Sequence, residues 1–257
     1  MSVPPAGTAG FDFTGRAVLV TGASRGIGQG IAVAFARAGA RLWMLAEDAG
    51  IEAAAKALGA GALRCDIRDP EAVSAALAPL GRIDVLVNNA GIERPTWLGD
   101  PGAATVAARI LETNVMGTEH VTRAALPKMP EGGRILLTSS IWGKTAVPGF
   151  SAYAASKHAM IGLMRSWARE LGPRGITVNA VCPGWIGTEA ALASLAEIAR
   201  VEDRPEEEVM AGLMAAQAIP GLMLPGDIAG LYLFLASDAA ACISGQAICI
   251  DRGETLA

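Results

Sequence analysis

The stretch Thr21-Gly22-Ala23-Ser24-Arg25-Gly26-Ile27-Gly28 decides the fold of this 257-residue chain. It follows a short apolar run at 17–21 and leads directly into an Ala-rich helical pattern at 28–38. Its three glycines allow a tight turn and a close approach to a pyrophosphate, whose negative charge is attracted by the free N–H groups of a helix start. A glycine-rich turn alone is a weak signal, but the position between a strand and a helix predicts a dinucleotide-binding βαβ unit.

Short β-rich runs alternate with longer helical patterns along the rest of the chain. Several of the runs are almost continuously apolar, as strands covered on both faces are. This alternation predicts an α/β fold, specifically a single-domain doubly wound Rossmann fold with a seven-stranded parallel sheet. The predicted strands are 17–21, 41–45, 62–65, 85–88, 134–139, 177–182 and 247–250. The helical patterns between them include 28–38, 71–80, 103–125 and 151–171.

The composition limits the class of partner. Hydrophobic residues make up 52% of the chain and charged residues 18%, which is enough apolar material for a large core. A formal net charge of −4 gives no general attraction for nucleic acid or for an anionic membrane surface. Charges and turn residues interrupt every apolar run before the roughly 18 residues of a membrane span. We therefore expect a small-molecule substrate, with neither nucleic acid nor a membrane as partner.

The cysteines and the first residues bear on metal binding and location. Cys65, Cys182, Cys242 and Cys249 show neither CxxC spacing nor grouping with a histidine, so we predict no metal site. The first ten residues lack a basic region followed by an apolar run, which argues against a secretory signal and favours a cytoplasmic protein. We expect a flexible segment at 1–12 and a single dinucleotide-binding catalytic domain at 13–257.

One segment, 187–224, is longer than a connection needs and contains the charged run 202–208. It leaves the carboxyl end of a predicted strand, where open α/β sheets bind ligands. Two interpretations stay open for this segment: a lid over the substrate, or a solvated helical hairpin.

A tyrosine and a lysine lie one helical turn apart in Tyr153-Ala154-Ala155-Ser156-Lys157. A neighbouring positive charge favours the phenolate of a tyrosine, whose pKa is otherwise about 10, and brings it closer to the range of general acid–base catalysis. Ser140 follows the predicted strand 134–139 at its carboxyl end, and Asn114 lies in the preceding helical pattern. A pair on a helix surface would also give Tyr-x-x-x-Lys, but the four residues together indicate an active site.

The Gly-x-x-x-Gly-x-Gly turn and the Tyr-x-x-x-Lys pair resemble those of the short-chain dehydrogenase/reductase family. The resemblance runs from about Phe13 to Gly253 and implies an enzyme that moves a hydride between a nicotinamide cofactor and a CH–OH group. It implies that Tyr153 is the acid/base and that Ser140 polarises the substrate oxygen. It further implies that Lys157 lowers the tyrosine pKa and holds the nicotinamide ribose, and that Asn114 anchors a water in the proton path.

The resemblance also assigns residues to the cofactor. Besides Tyr153 and Lys157, these are Gly22, Ser24, Arg25, Gly26, Ile27, Gly28, Glu47, Asp66, Ile67, Asn88, Ala90, Gly91, Pro183, Gly184, Ile186 and Thr188. Asp66 and Thr188 also fit turn or helix capping. The acidic residue that selects NAD is replaced here by Ala46, but Glu47 follows it and would repel the 2′-phosphate of NADP. Arg25 would attract that phosphate. The balance favours NAD over NADP.

The predicted pocket favours a neutral substrate. Around Trp185 and the lid the chain is similar to the 3-hydroxybutyrate dehydrogenase branch, but the positions that hold a carboxylate there are Glu93, Trp142 and Phe150 here. A free carboxylate would lose its partners, so we predict a polyol, sugar or aliphatic secondary alcohol or ketone. Two alternatives stay open. One is a carrier-linked 3-oxoacyl reductase, which the 21–28 turn also resembles, and the other is a non-catalytic nucleotide-binding scaffold.

The resemblance further implies a homotetramer or homodimer packed through the helices at 103–125 and 151–171. One departure from the family pattern is Asp251-Arg252-Gly253, where Asp-Gly-Gly is common. We expect this change to affect the local backbone or a subunit contact and to spare catalysis.

Overall fold

A computed structural model describes residues 10–255 of the chain. Residues 1–9 of the predicted flexible segment lie outside this range, as do 256 and 257.

Seven parallel strands form one sheet in the order β3-β2-β1-β4-β5-β6-β7. The sequence-based prediction of a doubly wound fold is therefore confirmed, and each predicted strand is present with its ends shifted by at most one residue. Because the order reverses between β1 and β4, the carboxyl ends of these two strands border the crevice where such sheets bind ligands. The strands are β1 Ala17–Thr21, β2 Arg41–Ala46, β3 Gly61–Arg64, β4 Val85–Asn88, β5 Arg134–Thr138, β6 Thr177–Pro183 and β7 Ala247–Ile250.

Nine α-helices lie within the described residues: α1 Gly26–Arg37, α2 Gly50–Ala57, α3 Pro70–Leu77, α4 Ala103–Leu111, α5 Thr118–Ala125, α6 Ser151–Leu171, α7 Glu189–Glu202, α8 Glu206–Ala215 and α9 Pro225–Ala236. The helix predicted at 151–171 has those bounds. The single helix predicted at 103–125 is wrong in one respect, because a π-helical turn, Glu112–Gly117, separates α4 from α5.

The sheet is covered on both faces, and successive residues of β1 show how. Val18 and Val20 pack against α1 and α9, whereas Leu19, on the other face, packs on the side of α3, α5 and α6. All three side chains are fully buried. This arrangement explains why the strands read as continuous apolar runs rather than as alternating patterns.

The segment predicted as a lid or a hairpin contains α7 and α8. Its two ends are joined at the base, where Ile186 pairs with Met223 and the Gly187 amide donates to the Met223 carbonyl over 2.7 Å. The apolar side of the two helices packs on a third cluster that includes Trp142, Phe150 and Trp185. The segment is thus a helical hairpin, and its apolar face packs against residues that flank the predicted active site.

The Asp251-Arg252-Gly253 turn has the backbone that glycine favours. Arg252 has φ 55° and Gly253 has φ 76°, both in the left-handed region. The Arg252 carbonyl accepts from the Ile219 amide over 3.0 Å, which ties the turn to the end of the 187–224 segment. Arg252 thus has a left-handed backbone at a position where the resembled family commonly has glycine.

Within residues 10–255, no helix is long and apolar enough to cross a membrane. The same range contains no cluster of three or more His, Cys, Asp or Glu side chains with the geometry of a metal site.

Candidate active site

The glycine turn after β1 is packed too closely for side chains. Gly22 and Gly26 have φ 63° and 59°, which L-residues rarely adopt. A Cβ on Gly28 would lie 2.2 Å from the Gly22 carbonyl oxygen, and one on Gly22 would lie 2.7 Å from the Ala90 Cα. The turn therefore requires glycine at 22 and 28 for its own shape and for its contact with the residues after β4.

The start of α1 carries no side-chain cap. Arg25 precedes the helix in an extended conformation and makes no capping hydrogen bond. The N–H groups of the first turn are therefore left for a ligand, and the helix dipole favours a negative one. A backbone without Cβ atoms in front of an uncapped helix start fits a dinucleotide pyrophosphate.

A carboxylate lies against the same turn. The Ser24 hydroxyl donates to Asp48 Oδ2 over 2.7 Å, and Arg25 Nη1 lies 3.8 Å from the same oxygen. The hydrogen bond from Ser24 lowers the pKa of Asp48, so this side chain is ionised at neutral pH. Asp48 was not among the residues predicted to bind the cofactor, although it directly follows Glu47. The signal that could have identified Asp48 is the pair of adjacent carboxylates, Glu47 and Asp48, directly after β2.

The two residues predicted to contact the adenine ring both have contacts within the protein. Asp66 forms an ion pair of 2.5 Å with Arg68 and accepts from the Arg68 amide, which is the turn-capping role that the sequence left open. The Ile67 side chain is buried in the core beside Gly117, where an added Cβ would lie 2.6 Å from it. Any contact of these two residues with a nucleotide stays a prediction.

The residues after β4 that are predicted to bind the cofactor, Asn88, Ala90 and Gly91, do not all face the same way. Asn88 is buried and its Nδ2 donates to Thr122 on α5, so this side chain points into the protein. Asn89, which was not predicted as a site residue, donates to the carbonyl oxygens of Thr21 and Gly22 and fixes the glycine turn. A Cβ on Gly91 would lie 3.6 Å from Lys157 Nζ. Ala90 and Gly91 thus connect the glycine turn to α6.

Three of the predicted catalytic side chains meet at the carboxyl end of β5. Lys157 Nζ lies 5.3 Å from the centroid of the Tyr153 ring and donates to the Thr138 carbonyl oxygen over 2.8 Å. The Ser140 hydroxyl oxygen accepts from the Trp142 amide over 3.1 Å, and Ser140 acts on the Tyr153 hydroxyl to lower its pKa. A phenol, a hydroxyl and an amine in this arrangement can hold a substrate oxygen and exchange a proton with it.

The pKa values differ from the expectation that a neighbouring lysine lowers that of the tyrosine. Burial and the Glu93 carboxylate raise the pKa of Tyr153 well above 10, and the hydrogen bond with Ser140 opposes them only in part. Burial also lowers the pKa of Lys157 to about 8, although Glu93 acts to raise it. The physical reason is that both groups are desolvated, which disfavours the charged form of each.

Asn114 joins three segments from within the π-helical turn. Its Oδ1 accepts from the Ile92 amide over 2.8 Å, and its Nδ2 donates to the Ile92 carbonyl and to Ser156 Oγ, each over 3.0 Å. The side chain is fully buried. Asn114 therefore anchors the loop after β4 to α6. Its role in holding a water stays a prediction.

The segment predicted to close over the nicotinamide follows β6. Gly184 packs against Asp251, where an added Cβ would lie 2.8 Å from the Asp251 Cβ, and Ile186 is buried in the core. Thr188 caps α7 by accepting from the Ala191 amide and lies beside Gly26. The base of the 187–224 segment therefore borders the glycine turn.

The fold and the site are those of a doubly wound α/β protein with a candidate dinucleotide turn and a candidate acid/base centre. Residues 22–255 match the family model described as Enoyl-(Acyl carrier protein) reductase. Oxidoreductase UcpA of Salmonella typhimurium is 41% identical over 255 residues, covering 95% of each chain. The 3-oxoacyl-[acyl-carrier-protein] reductase FabG of Escherichia coli is 36% identical over 253 residues, covering 94% of this chain and 98% of that protein.

Solved structures are similar to this chain over nearly its whole length. The crystal structure of a 3-oxoacyl-[acyl-carrier protein] reductase from Brucella melitensis has a TM-score of 0.86 at 31% identity and covers 100% of this chain and 99% of its own. A dehydrogenase/reductase from Sinorhizobium meliloti has a TM-score of 0.84 at 32% identity over 96% and 98% of the two chains. The chain belongs to the short-chain dehydrogenase/reductase family. It is an oxidoreductase of the class that acts on carbonyl and hydroxyl groups with nicotinamide cofactors.

Proposed function

We propose that this enzyme transfers a hydride between NAD(H) and a neutral secondary alcohol or ketone, with Tyr153 as the acid/base. The observation that carries the proposal is the pairing of Tyr153 with Lys157, whose amine lies beside Gly91 in the segment that leads back to the glycine turn. The nicotinamide, when bound, supplies or accepts the hydride. The chain supplies the proton chemistry.

In this proposal the Tyr153 hydroxyl oxygen takes the proton of the alcohol during oxidation and returns it during ketone reduction. Ser140 donates a hydrogen bond to the same substrate oxygen and orients it. Lys157 holds the nicotinamide ribose and, when protonated, favours the phenolate. Because burial raises the pKa of Tyr153, the positive charge of Lys157 is needed to make the tyrosine an effective base at neutral pH.

Replacement of the phenol tests this role. Tyr153→Phe keeps the ring and removes only the hydroxyl, so turnover should fall by about 10²–10⁴-fold or more while NADH binding stays unchanged. The matched control is Tyr232→Phe, which removes the only other tyrosine hydroxyl, one that is hydrogen-bonded to Thr138. Full activity in Tyr153→Phe would refute the mechanism.

The preference for NAD is supported by the carboxylates after β2. Asp48 is ionised and hydrogen-bonded to Ser24 in the turn, so it would repel the 2′-phosphate of NADP. Its 3.8 Å contact with Arg25 also engages the cation that would otherwise attract this phosphate. We expect kcat/KM to be higher with NAD than with NADP.

A charge-removing variant tests the origin of that preference. Asp48→Asn keeps an acceptor for Ser24 and should raise the NADP/NAD ratio of kcat/KM by about tenfold, which corresponds to about 1.4 kcal/mol. The control is Glu131→Gln, a change of an exposed residue near the amino end of β5, away from the carboxyl ends of the strands where Asp48 lies. A wild-type enzyme that prefers NADP would show that the assignment is wrong.

A carrier-linked 3-oxoacyl reductase is the second candidate, because FabG relatives carry that name and match nearly the whole chain. Such an enzyme has to bind an acidic carrier at the mouth of its site. The exposed first turn of α8 carries Glu206, Glu207 and Glu208, which would repel an acidic partner. We therefore rank this candidate second, and comparison of free and carrier-linked 3-ketones as substrates separates the two.

The 187–224 segment is proposed to cover the substrate, because the apolar faces of its helices pack beside Trp142 and Tyr153. Assembly into a homotetramer or homodimer and a cytoplasmic location also stay proposals.

A further inference from the structure

We propose that Cys182 and Cys249 form an oxidation site, a pair of thiols that a hydroperoxide converts to a disulfide in the folded enzyme, and that this disulfide weakens binding of the nicotinamide cofactor. The site lies outside the hydride-transfer chemistry proposed above. The oxidation needs only the two thiols and the peroxide, so it holds whatever alcohol or ketone the enzyme takes.

The two cysteines occupy paired positions on neighbouring parallel strands. In the ladder between β6 and β7, Cys182 is the register partner of Cys249. Neighbouring strands lie about 4.8 Å apart, which is within the range of about 4.4–6.8 Å that separates the Cα atoms of a disulfide. The register therefore brings two of the four cysteines to the spacing that a disulfide needs.

Both side chains lie on the same face of the sheet. Cys182 belongs to the core cluster on the side of α6, and Cys249 packs against that cluster. The residues before them, Val181 and Ile248, pack on the other face. Because side chains alternate between faces along a strand, the two sulfur atoms are neighbours rather than being separated by the sheet. Burial raises the pKa of the Cys182 thiol to about 11, and the nearby Cys249 adds to that rise.

The two thiols differ in their access to solvent. Cys182 is fully buried, whereas Cys249 is partly exposed on β7, the last strand of the sheet. A hydroperoxide in solution therefore meets Cys249 first, while Cys182 is shielded from the reagent but not from its neighbour. This difference makes Cys249 the thiol that is attacked and Cys182 the one that resolves the product.

The reaction has two steps. The Cys249 thiolate attacks one peroxide oxygen, the O–O bond breaks, and the other oxygen leaves as hydroxide and takes up a proton to become water. The Cys182 sulfur then attacks the sulfur of the Cys249 sulfenic acid, and the S–OH oxygen leaves as a second water with the Cys182 proton. Two thiols and one hydrogen peroxide thus give one disulfide and two waters.

The disulfide forms directly before a segment of the candidate active site. Cys182 is followed by Pro183 and Gly184, which are predicted to close over the nicotinamide, and the Gly184 amide donates to the Ile250 carbonyl over 3.1 Å. A disulfide holds its Cβ atoms about 3.8 Å apart, which is closer than the spacing of the strands. Oxidation therefore draws β6 and β7 together at this point, and we expect the displaced Pro183–Gly184 segment to bind the cofactor less tightly.

Peroxide treatment of the folded enzyme tests the site. Cys242→Ala is the parent protein for these measurements, because the Cys242 thiol is exposed and would otherwise link two chains. After treatment, alkylation without reduction and digestion should give a cross-linked peptide that joins Cys182 to Cys249. Its mass should be two hydrogen atoms below the sum of the two reduced peptides, and dithiothreitol should separate them.

Single variants of this parent separate the roles of the thiols. In Cys182→Ala the reaction should stop at the Cys249 sulfenic acid, which dimedone traps. In Cys249→Ala the buried Cys182 should stay reduced. The matched control is Cys65→Ala, which removes a buried thiol at the other end of the sheet and should leave the disulfide unchanged.

The affinity for NADH and NADPH, followed by fluorescence, measures the consequence. Affinity for the cofactor that the enzyme binds should fall several-fold in the oxidised parent and return with dithiothreitol, whereas Cys249→Ala should show no change after the same treatment. If Cys182 and Cys249 both stay reduced under conditions that oxidise Cys242 in the wild-type protein, the oxidation site does not exist. A complete disulfide with unchanged affinity would overturn the effect on the cofactor and leave the oxidation site standing.

Discussion

Tyr153 carries its hydroxyl in a place where ionisation is unfavourable. Burial and the Glu93 carboxylate both raise its pKa, and the Lys157 amine, 5.3 Å from the ring centroid, is turned to a backbone carbonyl. The sequence motif indicates which groups are neighbours, but it does not include the desolvation of either one. A charge-assisted base therefore depends on how much the positive charge of Lys157 offsets burial.

The two tyrosines allow a direct measurement of this effect. Tyr153 and Tyr232 are the only tyrosines in the chain, and burial raises the pKa of each above its usual value of 10. Titration followed by near-ultraviolet absorbance should show no phenolate in the folded protein at pH 10, whereas the unfolded chain should be half ionised there. A phenol that titrates at its usual pH in the folded enzyme would contradict the burial of that side chain.

Glu93 supplies the second part of the same prediction. Because a nearby negative charge raises the pKa of a phenol, Glu93→Gln should move the first phenolate signal to lower pH. In Tyr153→Phe the titration should no longer depend on Glu93. The remaining tyrosine is Tyr232, whose pKa is raised mainly by burial and does not depend on Glu93. An unchanged titration in Glu93→Gln would show that the carboxylate does not act on Tyr153.

At the scale of single residues, the sequence predicted those with a recognisable motif and missed those that support them. Ser140, Tyr153 and Lys157 belong to a pattern with fixed spacing. Thr138, which accepts the Lys157 hydrogen bond through its main chain, and Asn89 have no such pattern, because their contacts arise only when distant strands come together.

At the scale of secondary structure, the prediction was most accurate where periodicity was strong. All seven strands and the full length of α6 were predicted, whereas α2 and α9 were not proposed as helices. In α9 apolar residues lie on almost every side, with Ile228, Tyr232 and Leu235 in the core, so no amphipathic period marks it. The π-helical turn was missed because an extra residue in one turn leaves little trace in apolar spacing.

That π-helical turn gives an element-scale prediction through Asn114. Asn114→Asp keeps the acceptor for the Ile92 amide but removes both donated bonds, to the Ile92 carbonyl and to Ser156. A buried acceptor, Ser156 Oγ, and a part-buried one, the Ile92 carbonyl, each lose a donor. The free energy of unfolding should therefore fall by about 1–3 kcal/mol, and kcat/KM should fall as the loop after β4 loosens. Urea unfolding and steady-state kinetics measure the two effects.

The matched control for this prediction is Ser156→Ala, which removes one of the two acceptors and leaves both bonds to Ile92. It should be the milder variant in stability and in kcat/KM. If Ser156→Ala equalled Asn114→Asp in both measurements, the link to the loop after β4 would not be the important one.

At the scale of the whole molecule, buried titratable groups connect stability to pH. Burial raises the pKa of the Cys65 and Cys182 thiols from 9.0 to about 11. Between these values the unfolded chain has lost protons that the folded protein keeps, so the free energy of unfolding falls as pH rises. Lys157 acts in the opposite direction. Its pKa falls from 10.5 to about 8, so between these values the unfolded chain carries the extra proton and stability rises with pH.

These signs predict a stability maximum near pH 9, where the rise from Lys157 gives way to the combined fall from two thiols and, at higher pH, two phenols. Urea unfolding followed by the fluorescence of the five tryptophans should show a loss of a few kcal/mol between pH 9 and pH 11. Cys182→Ala should flatten that slope, whatever its effect on absolute stability, because the fully buried thiol no longer titrates. Cys242→Ala, at an exposed thiol, should leave the slope unchanged. Equal slopes in wild type and Cys182→Ala would show that burial of this thiol does not set the alkaline limit of the fold.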